Sequence, residues 1–231
     1  MIYVTSDLHG FPLSGFKKLL DKAGFTSEDT CYVLGDVIDR GSESIELLKW
    51  IMAEPNFYLL RGNHEDLFLR CRFLFEGEEI RNNPTKENIA DFENWSINGG
   101  RQTLKELARY TDARVLGFMK YIEKAPLYKR LNVNGKEFLL VHGGLGSFSP
   151  KKQLCDYTLK ELIWTRPEIS QRYFDNIITV IGHTPTIYYD RECKGRIFKT
   201  DTWVDIDTGA ASGYAPMLLR LDDMAEFYTE T

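Results

Sequence analysis

The chain of 231 residues carries a net charge of −5 at pH 7, with 43% hydrophobic and 27% charged residues. This composition argues against disorder, and the acidic surplus argues against broad affinity for nucleic-acid backbone or anionic membrane. Met1 leads straight into an apolar stretch, no apolar run nears the about 18 residues of a membrane span, and Cys31, Cys71, Cys155 and Cys193 form no Cys-x-x-Cys pair, so a cytoplasmic protein with reduced thiols is expected.

Ile2 to Val4 reads as a short strand that opens into Asp7-Leu8-His9-Gly10. Leu13 to Ala23 places Phe16, Leu19, Leu20 and Ala23 at helical spacing and stops at Gly24. The apolar run Cys31 to Leu34 ends at Gly35-Asp36, and Ser42 to Met52 is the next helix, with Ile45, Leu48 and Met52 on one face. Phe57 to Leu60 leads to Arg61-Gly62-Asn63-His64-Glu65, followed by a third helix carrying Leu67, Cys71 and Leu74. This β-α-β-α-β rhythm predicts a sheet with covering helices.

From about Gly77 to Lys124 the rhythm breaks. Glu78 to Glu93 is polar and reads as loop and short helix, Trp95 to Gly100 as a turn, and Gln102 to Tyr110 and Asp112 to Glu123 as two helices. The Gly99-Gly100 pair implies close backbone packing or a positive-φ turn. Residues 77–124 are therefore expected to be a helical insertion bordering the site, not a second domain. Strand character returns at Tyr128, clearest in Phe138 to Val141, and Thr158-Leu159-Lys160-Glu161 has capping-box spacing for a short helix through Trp164. Ile177 to Ile181, Ile197 to Phe198, Trp203 to Ile206 and Met217 to Leu221 complete a second half expected to be largely antiparallel, and Asp222 to Glu230 reads as a solvated acidic end. Together these elements predict an α/β protein of one domain (1–231), with two packed sheets and helices outside.

The chemistry lies where apolar runs stop. Leu34-Gly35-Asp36-Val37-Ile38-Asp39-Arg40-Gly41 sets two carboxylates at the end of an apolar run, where α/β proteins place their sites; a turn with a surface ion pair is the plain alternative. Buried, Asp36 and Asp39 need compensation, for which a metal and a histidine are the candidates. The chain has four histidines, His9, His64, His142 and His183, and each follows an apolar run beside Gly, Asp or Asn. One such histidine is commonly a satisfied core or turn residue; four of four, with Asp7, Asp36 and Asn63, point to a shared centre. Oxygen and imidazole donors without thiolate suit manganese, iron or zinc, and so many donors imply two divalent ions.

Asp7-x-His9, Gly35-Asp36-x-x-Asp39-Arg40-Gly41, Gly62-Asn63-His64-Glu65, His142-Gly143 and Gly182-His183 resemble, in order, the five motifs of calcineurin-like metallophosphoesterases. The second and third resemble the phosphoprotein phosphatase branch, and Trp95-x-x-Asn98-Gly99-Gly100 and Ile206-Asp207-Thr208-Gly209-Ala210 resemble its bacterial serine/threonine phosphatase members. Ser6 stands where the family usually has Gly, and Gly143 where Ala is common; both are small and leave the ligands in place. The resemblance implies a four-layer α/β/β/α sandwich of two mixed sheets and a dinuclear centre. One ion would be held by Asp7, His9 and Asp36, the other by Asp36, Asn63, His142 and His183, with Asp36 shared. It further implies that hydroxide generated between the ions attacks phosphorus. His64 would be the general acid oriented by Asp39, with Asn63, Arg40 and a second arginine, Arg166, on the phosphoryl oxygens.

Plainer roles are expected elsewhere. Arg61 is read as a structural ion pair rather than a substrate contact, and Glu65 as a charge at the start of the third helix. Asp207 either lies behind a ligand or anchors a turn. Trp95, Trp164 and Trp203 read as packing residues, with Trp95 best placed to border a groove. Three functions fit this pattern: a serine/threonine protein phosphatase, a symmetrical diadenosine tetraphosphate hydrolase, and a non-catalytic metal-binding module. The last would have lost a ligand or His64, and every position is filled. The Trp95 to Gly100 segment leans toward the first, with a phosphorylated protein or small phosphoester as substrate.

Overall fold

Side chains alternate across Ile2–Thr5 (β1), and the two faces enter different cores. Tyr3 packs among Phe16, Leu19 and Leu48, whereas Val4 packs among Phe138, Leu140 and Leu219. A buried strand facing two cores is the pattern of a sheet with one layer above it and another below. The computed structural model describes residues 1–229 and has that layering throughout.

The first sheet runs β10-β9-β1-β2-β3, with Thr30–Val33 (β2), Phe57–Leu59 (β3), Met217–Arg220 (β9) and Ala225–Tyr228 (β10). β1, β2 and β3 are parallel, joined by Leu13–Lys22 (α1) and Ser44–Ala53 (α2), while β9 and β10 pair antiparallel. The second sheet runs Tyr128–Val133 (β4), Lys136–Val141 (β5), Ile177–Ile181 (β6), Trp203–Asp205 (β8), Phe198–Lys199 (β7). Here the expectation of a largely antiparallel half holds for β4, β7, β9 and β10, but the centre of the second sheet departs from it: β5, β6 and β8 are parallel. The parallel crossovers are long and mostly irregular, with only the five-residue α8 between β5 and β6, so strand direction left little mark on local pattern.

The tail also differs from expectation. Ala225–Tyr228 is an edge strand rather than a solvated end, and the Phe227 ring lies 6.0 Å from that of Tyr3; Glu230 lies outside the described residues. Residues 77–124 form Glu78–Asn82 (α4), Lys86–Trp95 (α5), a π-helical turn Ser96–Gly100, Arg101–Leu107 (α6) and Asp112–Glu123 (α7). Trp95, Leu107, Val115, Phe118 and Ile122 join the core above the first sheet, together with Leu67 and Phe68 of Asn63–Arg70 (α3). The outer face of the second sheet is covered more thinly, by Leu159–Ile163 (α8) and coil carrying Tyr157 and Tyr173.

Phe138 is fully buried between the sheets, so Phe138→Ala is expected to cost about 3–5 kcal/mol, read from the urea midpoint. α8 closes with the capping box expected from sequence: Thr158 Oγ1 accepts from Glu161 N, and Glu161 Oε2 accepts from Thr158 N. Lys152, then the Thr158 amide, holds the Glu161 carboxyl down at about 2, below the 4.5 of a free glutamate. A depressed folded-state value contributes stability above pH 4.5 that is lost as pH falls toward 2. The stability difference between wild type and Glu161→Gln should therefore shrink through that window in a series of urea melts.

Candidate metal centre

Five strand ends converge. β1, β2 and β3 deliver Asp7 with His9, Asp36, and Asn63 with His64; β5 and β6 of the second sheet deliver His142 and His183. All seven side chains are buried. Asp7, His9, Asp36, Asp39, Arg40 and His183 adopt φ between +43° and +73°, a region that costs non-glycine residues about 1–3 kcal/mol each. The surrounding fold imposes that strain. Gly62 shows how tightly: a Cβ there would run into Asp36 Oδ1.

Asp36 is the centre of the arrangement. Its Oδ2 lies 3.7 Å from His9 Nε2 and 3.9 Å from His64 Nε2, and its Oδ1 lies 3.4 Å from His142 Nε2. Two groups of donors share it, His9-Asp36-His64 and Asp36-His142-His183, each with ligand atoms within 4.8 Å of one another. Asn63 Oδ1 lies 2.8 Å from His142 Nε2, beside the second group. Asp7 is set slightly wider, its Oδ1 4.0 Å from His9 Nε2 and its Oδ2 accepting from Ser6 Oγ and His183 N. The geometry thus brings His64 into the tighter first group, where the sequence reading placed Asp7. Backbone carbonyls orient the imidazoles: His9 Nδ1 is 3.0 Å from Ile38 O, and His142 Nδ1 is 2.6 Å from Leu34 O, leaving Nε2 of each toward Asp36.

His64 differs from the other three. Its Nδ1 meets Asp39 Oδ2 at 2.8 Å, a carboxylate rather than a carbonyl, and its Nε2 meets Arg40 Nη2 at 2.9 Å. Burial opposes its charged form, but Asp36 and Asp39 outweigh burial and raise its pKa above 6.5. Burial, then His64, holds His9 well below that value, and burial, then His142, takes His183 down to about 2. Burial works against the Asp36 charge too, yet His142 and His64 keep its carboxyl well below the usual range.

The donor chemistry fits divalent cations. Asp7, Asp36, Glu65, Asp205 and Asp207 are all buried here. Burial, with Asp36 adding, pushes Asp7 up to about 6 against the pull of His142, and burial and Asp36 push Glu65 to about 7. His183 Nε2 and Asp205 Oδ2 are buried with no hydrogen-bond partner among the described residues. So much buried carboxylate calls for compensating positive charge: Asp36 raises His142 to about 10 despite burial, while His9 and His183 are held neutral, the form that ligates metal. A groove of about 360 Å³ opens over the centre, with Asp36, Asn63 and His183 at its floor and Arg40, Arg166 and Tyr188 among its walls.

The sequence pattern of calcineurin-like phosphoesterases matches residues 1–206. The chain belongs to that family. Curated relatives include serine/threonine-protein phosphatase 7 of Arabidopsis thaliana, 40% identical over 85 residues, 34% of this chain and 20% of that protein. Another is serine/threonine-protein phosphatase with EF-hands 1 of Mus musculus, 36% identical over 86 residues, 35% of this chain and 13% of that protein. This calcineurin-like phosphoesterase thus aligns with a fifth or less of their length. Among solved structures, a serine/threonine phosphatase from Saccharomyces cerevisiae with similarity to human phosphatase PP5 superposes with TM-score 0.65 at 19% identity, covering 100% of this chain and 80% of that one. A protein provisionally named a diadenosine tetraphosphatase gives TM-score 0.66 at 14% identity, covering 99% and 92%. At these identities the two structures share the fold.

Within the phosphoesterase, several residues have roles that their sequence context concealed. Glu65 accepts from the amides of Asp36, Val37 and Gly62, so it fastens the loops after β2 and β3 together as well as opening α3. Trp95 is fully buried and borders no groove; its Nε1 donates to Asp39. Trp164, by contrast, lies at the groove, its ring 5.8 Å from His183, and Trp203 packs in the outer core as expected. Arg61 donates to the backbone carbonyl of Glu123 instead of forming the expected ion pair. Asp207 anchors its turn by accepting from Gly209 N, and its carboxyl is raised by burial and by nearby Asp7. No helix among the described residues is long and apolar enough to cross a membrane.

Proposed function

We propose that this chain is a metal-dependent phosphomonoester hydrolase acting on phosphorylated serine or threonine in proteins. One observation supports the reading above all: two His/Asp donor groups share Asp36, and one member of the first, His64, is paired through Nδ1 with the carboxylate of Asp39. Asp7, His9 and Asp36 would hold one cation, and Asp36, Asn63, His142 and His183 the other. Divalent cations there, manganese or else iron or zinc, would supply Lewis-acid charge and acidify water.

The chain's own groups have three tasks. Arg40 and Arg166 reach the groove from opposite parts of the chain and bind equatorial phosphoryl oxygens, as planar guanidiniums do, with Asn63 beside them. Water adds its oxygen to phosphorus as the ester P–O bond breaks; one of its protons stays on the phosphate and the other goes to solvent, from which His64 is reprotonated. His64 gives its Nε2 proton to the departing oxygen, and Asp39 holds the ring by Nδ1 throughout. Arg40 meets His9 and His64 through Nη1 and Nη2 at 3.0 and 2.9 Å, so its fork already lies where phosphate would enter.

The names of the curated relatives and the Trp95–Gly100 segment beside Arg40 favour a phosphoprotein substrate. The test is a parallel assay of a phosphoserine peptide and diadenosine tetraphosphate with added Mn²⁺. Higher kcat/KM on the peptide is expected; preference for the dinucleotide would replace this reading with the hydrolase one, and cleavage of neither would leave only a binding module.

A further inference from the structure

Asp39 is held more firmly than an orienting carboxylate requires. Trp95 Nε1 lies 3.1 Å from Asp39 Oδ1 and 2.9 Å from Oδ2, and Thr103 Oγ1 donates to Oδ1 at 2.6 Å. Asp39 N in turn donates to Ser44 Oγ and Thr103 Oγ1, both at 3.0 Å. Trp95, Thr103, Asp39 and His64 are all fully buried, so these bonds form away from competing water.

The indole itself is seated with little freedom. A Cβ on Gly100 would run into its ring, and Phe68 packs at 5.3 Å on a tilted face. The turn between Trp95 and Thr103 also holds the neighbouring arginine: Arg40 N donates to Gly99 O and Arg40 Nε to Asn98 O, each at 3.3 Å. Gly99 sits at φ +111° with Arg40 Cγ 2.6 Å from where its Cβ would be, so only glycine lets the turn close on Arg40. One segment of the insertion therefore grips both Asp39 and Arg40.

We infer that Trp95 and Thr103 are positioning residues that aim the Asp39 carboxylate at His64 Nδ1 and so present His64 Nε2 to the leaving group. Three donors on one carboxylate leave Asp39 Oδ2 directed between indole and imidazole, with no rotamer to escape to. The 95–103 segment serves the proton-transfer half of the reaction and not cation binding, since none of its side chains bonds to Asp36, His142 or His183. This inference rests on the proposed role of His64 as general acid.

Trp95→Phe keeps an aromatic ring, though a smaller one, and removes the Nε1 donor; Thr103→Val keeps the shape and removes the Oγ1 donor. Each is expected to lower kcat on phenyl phosphate, a poor leaving group, by about tenfold, and to change kcat on 2,4-dinitrophenyl phosphate by less than about twofold. Loss by the same factor on both esters would overturn the inference, because a general loosening of the site does not sense leaving-group basicity. A second reading needs no turnover: in ¹⁵N-tryptophan protein, Asp39→Asn should move the Trp95 indole N–H resonance and His64→Gln should not abolish it. An indole resonance indifferent to Asp39→Asn overturns the inference even if either variant is poorly folded. Wild type that cleaves neither ester with Mn²⁺ would refute the phosphatase reading instead, and the indole resonance would still decide whether Trp95 holds Asp39.

Discussion

His64→Asn is expected to lower kcat on phenyl phosphate by about 10²–10⁴-fold while cation content stays at the wild-type level. The reasoning starts from what the imidazole touches. His64 Nδ1 meets a carboxylate, whereas His9 and His142 Nδ1 meet carbonyls. Against burial, Asp36 at Nε2 raises His142 further, to about 10, but that is the side a cation would take. Asp36 and Asp39 raise the His64 pKa against burial and Arg40; Arg40 Nη2 donates to Nε2 in this structure, so moving that guanidinium onto phosphate would free Nε2 to carry the proton to be donated. Its Nε2 also faces Arg40, the residue proposed to hold phosphate. His64 belongs to one of the tight donor groups as well, and the same variant separates the two roles. Elemental analysis that finds one cation lost would make His64 a ligand. Unchanged turnover on phenyl phosphate would show that the acid is another group.

Asp36→Asn should do more damage, and of a different kind. Asp36 is the one residue common to both donor groups, with three imidazoles within 3.9 Å of its carboxylate oxygens. Neutralising it removes the charge that both cations would share, and affinity is expected to fall by more than about 100-fold. Thermal unfolding reads this directly. A ligand that binds only the folded chain, at a hundred times its Kd, stabilises by about 2.7 kcal/mol, so wild type should gain that much with Mn²⁺ and the variant almost nothing. His64 N also donates to Asp36 Oδ1, which an asparagine oxygen can still accept, so the cation-free variant should remain folded. A variant that still rises with Mn²⁺ as wild type does would remove Asp36 from the centre.

The sequence alone determined where the chemistry starts. Each candidate ligand follows an apolar run because a buried strand must end before a polar side chain can turn into a site, and that transition is written in consecutive residues: Val4 to Asp7, Val33 to Asp36, Leu59 to Asn63, Val141 to His142, Ile181 to His183. Helical spacing in Leu13–Lys22 and the capping box at Thr158 are equally local, and the structure contains both. What tertiary structure decided is everything set by separation in space. The direction of β5, β6 and β8 depends on the path of long crossovers that are irregular apart from the short α8, and the pairing of Ala225–Tyr228 depends on an edge offered by β9. Trp95 reads as a packing residue because an indole looks the same in sequence whether or not its N–H has a partner. Only the fold carries that donor across 56 positions to Asp39, where burial turns a core side chain into part of the site.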